Sequence, residues 1–302
     1  MKSVPDSSSI YIISPSSPVR SPGSLERAQQ RLAALGFQAT IDPGAYAAYQ
    51  RFAGTDRQRL AALERALLQP APFVLASRGG YGMNRLLPLI NWPTVARSGK
   101  YFIGHSDFTA FNMALYAQTG AMSYAGPCAA FDFGEAEPNQ EMAQSFARTL
   151  KGEQKDISFT ARPLRSVARL TQVDGVLWGG NLAMLCSLVG TPYLPQVDGG
   201  ILFLEDVSEH PYRIERMLIQ LHLAGILQRQ KAILLGDFTD YRLGAADRGY
   251  SIKSTWSWLA HHVTTPAFLG FPYGHVPRKY TVPVGVPVQL RIKDSQAQLS
   301  WS

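Results

Sequence analysis

Ser106 offers the most direct chemistry in this chain. It falls in Tyr101-Phe102-Ile103-Gly104-His105-Ser106-Asp107-Phe108, where an apolar run stops at Gly104 and a helical pattern begins just past the serine. A strand, a sharp turn and a helix lift a hydroxyl clear of the backbone and aim helix N–H groups at a developing oxyanion, as in α/β-type serine hydrolases. The same context suits a serine that only caps the following helix. Phe108 also stands where the Gly-x-Ser-x-Gly pattern would place its second glycine.

Three further stretches could act with this serine. Arg78-Gly79-Gly80-Tyr81-Gly82 follows the apolar run Phe73–Ala76 and precedes a helical pattern. Its glycines let the backbone approach a ligand and present N–H groups to an anion. The loop reads as an oxyanion loop, as a nucleotide-phosphate loop, or as a tight turn that needs glycine for its angles. Against the nucleotide reading, Arg85 replaces the third glycine of a dinucleotide fingerprint and no Gly-Lys-Ser/Thr follows. The second stretch, Gly199–Val207, is an apolar strand ending in Glu205-Asp206. A carboxylate at a strand's C-terminal end can orient a histidine, or pair with the helix that follows. Successive strand side chains face opposite ways, so only one of the two can aim at a given site. The third is Phe271-Pro272-Tyr273-Gly274-His275-Val276-Pro277, which puts His275 in a Gly/Pro loop. Of the six histidines it makes the best general base. His105 adjoins the serine on a sharp turn and must point away from it, while His210, His222, His261 and His262 lie in or beside helical segments. The order Ser106, Glu205, His275 is that of nucleophile, acid and base in α/β-type hydrolases.

The elements that would carry these residues alternate. Strands are expected at Ile10–Ile13, Phe37–Ile41, Phe73–Ala76 and Tyr101–Ile103. A helix is expected over Ser24–Leu35, and a second begins at the capping box Thr55-Asp56-Arg57-Gln58. Such alternation implies a mostly parallel sheet. Lys151–Ser166 is polar and weakly periodic and makes the best boundary, giving domains over residues 1–155 and 156–302. Beyond it, helices are expected at Asn181–Leu188 and Pro211–Leu223 and buried strands at Ile201–Leu204 and Ala232–Leu235. The tail holds three short strands, Tyr280–Val284, Pro287–Ile292 and Gln296–Trp301.

Composition narrows the classes. The 302 residues are 46% hydrophobic and 17% charged, enough for a packed core and too little charge for extended disorder. No apolar stretch approaches the roughly 20 residues that span a bilayer, and the start of the chain lacks a long apolar leader. We therefore expect a cytoplasmic protein with no membrane partner. The net charge of +7 is scattered, without a basic stripe; it reads as a solvated, mixed surface ahead of a general pull on acidic ligands, and not as nucleic-acid binding. Cys128 and Cys186 read as buried thiols, and with no Cys-x-x-Cys or His-Glu-x-x-His we expect no catalytic metal.

Taken together, Arg78-Gly79-Gly80-Tyr81-Gly82, Gly104-His105-Ser106-Asp107, Gly175-Val176-Leu177-Trp178-Gly179-Gly180-Asn181-Leu182, Leu204-Glu205-Asp206 and Gly274-His275 resemble the LD-carboxypeptidases, in that family's order and spacing, from about Ile10 to Thr281. The family also includes microcin-immunity acylpeptidases. The resemblance implies a nucleophile at Ser106, a triad acid at Glu205, a base at His275, and an oxyanion hole from the backbone N–H groups of Gly80 and Asp107. It implies an α/β fold, a Rossmann-like parallel-sheet domain followed by a smaller β-rich α+β domain, with the site between them. The implied reaction is release of the terminal D-Ala from an L-Ala-D-Glu-meso-diaminopimelate-D-Ala tetrapeptide in peptidoglycan recycling, with no cofactor, a muropeptide as partner and a homodimer allowed. Trp178 and Asn181 would touch substrate, or serve as core and helix cap. Arg78 would hold the substrate carboxylate, or form a structural ion pair. Two rival functions stay open: a microcin-immunity type hydrolase of an acylated adenylate analogue, and a non-catalytic nucleotide-binding α/β protein.

Overall fold

The computed structural model describes residues 8–165 and 172–302. Residues 1–7, on which part of the leader reading rests, and Ser166, at the end of the polar boundary stretch, lie outside the described residues.

In chain order the first half contributes strands β1 (Ser9–Ile13), β2 (Gln38–Ile41), β3 (Phe73–Ala76), β4 (Tyr101–Gly104) and β5 (Ser123–Ala125). The second half contributes β6 (Asp156–Thr160), β7 (Arg162–Pro163), β8 (Gln172–Asn181), β9 (Ile201–Val207), β10 (Ala232–Thr239) and β11 (Ala267–Leu269). The tail adds β12 (Val282–Val284), β13 (Val286–Lys293) and β14 (Gln296–Trp301). Contacts divide the chain into two units. One is Met1–Gln154 with Pro277–Gly285, and the other is Lys155–Val276 with Val286–Ser302.

The first unit is built on a sheet of order β12-β5-β4-β3-β1-β2. Strands β1 to β5 pair in parallel. Every residue of β3 is buried, as are Ile10 to Ile13 of β1, the run of apolar residues that a parallel sheet covered on both faces demands. The helix Ser24–Ala34 packs Leu25, Ala28 and Leu32 inward. The helix Asp56–Leu68 starts at the expected capping box, in which Thr55 N–H donates to Gln58 Oε1 (2.8 Å) and Gln58 N–H to Thr55 Oγ1 (3.3 Å). The order β2-β1-β3-β4-β5 is that of a doubly wound sheet whose direction of winding changes between β1 and β3. Ligand sites in such sheets form beyond the carboxyl ends of the strands at that point. The loops after β1 and β3 are Ser14–Pro22 and Ser77–Gly82, so the glycine loop sits where the topology favours a site.

One tail strand is not where the sequence reading puts it. That reading assigns all of Tyr280–Val284 to the second half, yet β12 pairs antiparallel with β5 and completes the first sheet. The reason is edge protection: β5 would otherwise leave an unpaired row of backbone groups.

The second unit has a mixed sheet of order β6-β14-β13-β8-β9-β10-β11-β7. Its centre, β8-β9-β10-β11, is parallel. The hairpin β13-β14 and strand β6 extend one side in antiparallel pairing, and β7 closes the other. Helices Leu182–Leu188, Pro211–Leu223 and Ile252–His262 make the crossovers, and the second of these buries Ile214, Met217, Leu218 and Leu221.

Candidate active site

In the first unit, β4 delivers Ser106 into a tight turn. The serine adopts φ +63°, the left-handed region, which costs a residue with a Cβ roughly 1–2 kcal/mol. Strain of this kind persists only where its surroundings enforce it, and it concentrates at functional positions. The 3₁₀ turn Ser106–Phe108 runs into the helix Thr109–Thr119, and no side chain caps either start. Ser106 is therefore not a helix cap. The glycine loop presses on it directly. A Cβ on Gly79 would lie 2.5 Å from Ser106 Cβ, 2.7 Å from its Oγ and 3.1 Å from Asp107 N. Only glycine permits this approach, which puts the backbone of the loop beside both the hydroxyl and the next amide.

The loop is held by residues that sequence reasoning did not single out. Ser17, after β1, donates its N–H to Gly79 O (3.3 Å) and accepts at Oγ from Tyr81 N–H (3.0 Å). Arg59, 1% exposed, reaches from its helix to donate to Pro15 O (2.5 Å) and Gly82 O (2.9 Å). Asp107 accepts from Met83 N–H (2.8 Å) at the start of the helix Met83–Leu86. Burial pushes the Asp107 carboxyl up from the usual carboxylate range. This contact bears on the nucleotide-phosphate reading. The helix start that a phosphate would occupy already holds a carboxylate of the chain itself.

Arg78 folds back over the loop. Its Nη1 donates to Pro18 O (3.1 Å), and its Nη2 lies 3.5 Å from where a Cβ on Gly80 would be. Its Nε is buried with no acceptor among the described residues. Burial, and then the charge of Arg20, lower its pKa. Arg78 thus gains a cationic neighbour instead of the carboxylate partner that a structural ion pair would need.

In the second unit, β9 carries Glu205, which is fully buried, and its Oε2 lies 2.8 Å from His275 Nδ1. A carboxylate at this distance accepts, so Nδ1 holds the proton and Nε2 is the basic nitrogen. The other oxygen, Oε1, accepts from Asn181 Nδ2 (3.2 Å). Asp206 turns the other way, as strand alternation requires. It accepts from Ala183 N–H (2.9 Å), Val207 N–H (2.8 Å) and Asn181 Nδ2 (3.1 Å). Asn181 also caps the helix Leu182–Leu188, its Oδ1 accepting from Met184 N–H (3.1 Å). The cap reading is correct, and the amide Nδ2 contacts both carboxylates. Trp178 is a correction to the substrate-contact reading. It is 1% exposed in the core, its indole N–H donating to Gln230 Oε1 (2.9 Å), and it offers no face to a ligand.

His105 turns away from Ser106 into a buried group with Cys128 and Asp132, whose donor atoms lie within 4.8 Å of one another. The set has the chemistry of a cation site, but the ammonium of Lys279 already sits on Asp132. Burial, and then Asp132, push the Cys128 thiol up to about 12.

The Asp206 carboxyl is raised to about 7 by burial and then by the charge of Glu205. Unfolded, it ionises near 3.8. Between those values the folded chain keeps a proton that the unfolded chain has lost, so stability falls as pH rises, by at most about 1.4 kcal/mol per pH unit. Calorimetric melting should show the midpoint declining from about pH 5 to about pH 7. A midpoint that climbs steadily over that range would contradict the assignment.

Residues 10–126 match the family model for the LD-carboxypeptidase N-terminal domain, and residues 174–290 match that for the C-terminal domain. The murein tetrapeptide carboxypeptidase of Pseudomonas aeruginosa is 32% identical over 288 residues, covering 91% of both chains. The crystal structure of muramoyltetrapeptide carboxypeptidase from Oxalobacter formigenes superposes with a TM-score of 0.87 at 38% identity, covering 96% of this chain and 97% of that one. The microcin C7 self-immunity protein MccF of Escherichia coli is 26% identical over 265 residues, covering 78% of this chain and 76% of that one.

Proposed function

The chain belongs to the LD-carboxypeptidase family, and from that premise we propose that it releases the terminal D-Ala of murein tetrapeptide, L-Ala-D-Glu-meso-diaminopimelate-D-Ala, by a Ser106–His275–Glu205 triad. The observation that carries the reading is the Ser106 turn: a strained, uncapped serine with Gly79 packed against its hydroxyl. In the proposed reaction His275 Nε2 takes the Ser106 proton as Oγ attacks the scissile carbonyl. Glu205 holds the ring in the required tautomer and stabilises the imidazolium. The N–H groups of Gly80 and Asp107 receive the oxyanion. His275 then protonates the departing D-Ala amine, and water resolves the acyl-enzyme by the same steps. Arg78, a cation with no carboxylate partner among the described residues, is assigned to the substrate's terminal carboxylate. The enzyme would work in the cytoplasm, on muropeptides recovered from the cell wall.

The second reading, hydrolysis of an acylated adenylate analogue, rests on the likeness to the microcin self-immunity protein. It also draws on Tyr81, a half-exposed ring in the glycine loop that could face a base.

The test is mass spectrometry of free D-Ala. Tetrapeptide and pentapeptide are offered at equal concentration, with an aminoacyl sulfamoyl adenosine in a parallel arm. Inverting the residue before the scissile bond drives its side chain into the wall that receives a hydrogen in the true substrate. About 1 Å of carbonyl misplacement costs on the order of 10²-fold, so pentapeptide should lag by at least that factor. Comparable release from both would refute the LD assignment, and turnover of the sulfamoyl adenosine alone would favour the second reading. In the same assay Arg78→Met should raise KM for tetrapeptide more than it lowers kcat.

A further inference from the structure

The first unit buries a chain of charged groups that the proposed reaction does not use. Lys279 is 1% exposed and its ammonium rests on Asp132 Oδ1. Asp132 is 6% exposed; its Oδ2 accepts from Cys128 N–H (2.7 Å) and meets His105 Nε2 at 3.2 Å. His105, 2% exposed, is the residue immediately before Ser106. Burial works to raise the Asp132 carboxyl, but Lys279 and His105 outweigh it and hold the group well below the usual range. It is therefore an anion, paired with a buried cation.

Such a pair is costly to desolvate, and apolar residues of the same volume often stabilise a fold as well or better. Stability alone is thus a poor explanation for it. Its place in the chain offers another. Lys279 follows His275 by four residues, in the segment Pro277–Gly285 that belongs to the first unit. One carboxylate therefore engages both the residue that precedes the proposed nucleophile and a residue just downstream of the proposed base.

We propose that the Lys279–Asp132–His105 chain is a positioning device for catalysis: it fixes the Ser106 turn through His105 and ties the segment leaving His275 to that turn through Lys279. The proposal rests on the roles given above to Ser106 and His275.

The test uses the full chain with Lys279→Met, Lys279→Gln and the double variant Lys279→Met/Asp132→Asn. The double variant removes both charges together and so leaves no unpaired buried ion if the single variants fail to fold. Three quantities are read on protein shown by its melting curve to be folded at the assay temperature. These are kcat and KM for D-Ala release, and the rate at which a fluorophosphonate labels Ser106. We expect kcat to fall on the order of 10²-fold, as for a misplaced nucleophile, with KM changed by less than about threefold. Fluorophosphonate labelling should slow in parallel, and Lys279→Gln, which keeps a donor for Asp132, should fall between wild type and Lys279→Met. A folded double variant with kcat and labelling rate within about twofold of wild type would overturn the proposal and leave the pair a structural role only. An effect confined to KM would overturn it as well. Wild-type protein that labels at Ser106 but releases no D-Ala would instead count against the substrate reading. Wild-type protein that does not label would count against the nucleophile.

Discussion

Ser106→Ala is expected to abolish D-Ala release while the melting temperature stays close to that of wild type. The hydroxyl caps no helix, so its loss removes no structural hydrogen bond of that kind. The chemical loss is large, because the members of a triad act as a unit. Removing the nucleophile of a serine peptidase costs roughly 10⁶ in kcat and leaves only what binding and the oxyanion donors supply. Ser106→Gly sharpens the test. Glycine at φ +63° escapes the clash between Cβ and carbonyl, so this variant should be as inactive as alanine yet more stable, by up to about 1 kcal/mol. A glycine variant less stable than alanine would mean that the left-handed turn is not a strained state. An alanine variant with near-native turnover would remove Ser106 from the mechanism altogether.

Glu205→Gln should lower kcat by roughly 10³–10⁴. Both oxygens of Glu205 accept, one from His275 Nδ1 and the other from Asn181 Nδ2. An amide has one acceptor, so one of its two positions must set an N–H₂ against an N–H donor. If the amide nitrogen faces His275, the ring shifts to the tautomer with Nε2 protonated, which cannot take the serine proton. If it faces Asn181, the tautomer survives, but the bond that anchors the carboxylate is lost. The first arrangement costs catalysis and the second costs positioning, so a change of under tenfold in kcat would exclude Glu205 as the orienting acid. Steady-state turnover with circular dichroism on the same preparation decides it.

The parts of the site that could be read from sequence are those with local causes. The Thr55 capping box, the apolar runs of β1, β3 and β4, and the glycine loop all announce themselves within a few residues. Strand alternation says that only one of Glu205 and Asp206 can aim at a given site, and the family resemblance picks Glu205. The parts that could not be read are held by contacts distant in sequence. Arg59 reaches Gly82 and Pro15 across 23 and 44 residues, and Lys279 reaches Asp132 across 147. A lysine or arginine amid polar neighbours looks like a solvated surface charge, and nothing local marks it as buried. Trp178 misled for the converse reason. It lies among glycines in a motif-bearing segment, yet its indole N–H finds a buried partner in Gln230 and the ring joins the core.

The strand β12 bears on the order in which the molecule can be made. Synthesis runs from the N-terminus, and domains generally fold as they emerge. Here the first sheet lacks its edge strand until residue 284 has left the ribosome, when nearly all of the second unit has already been synthesised. Until then β5 is an open edge and Asp132 waits, buried or burying, without its counter-ion. A nascent chain halted at residue 154 therefore holds Ser106, the proposed nucleophile, and the glycine loop, but not the lysine that pairs with Asp132. The gene cannot be cut between its two family domains to yield a finished first half. Completion of the first sheet and arrival of His275, the proposed base, are, in time, nearly one event.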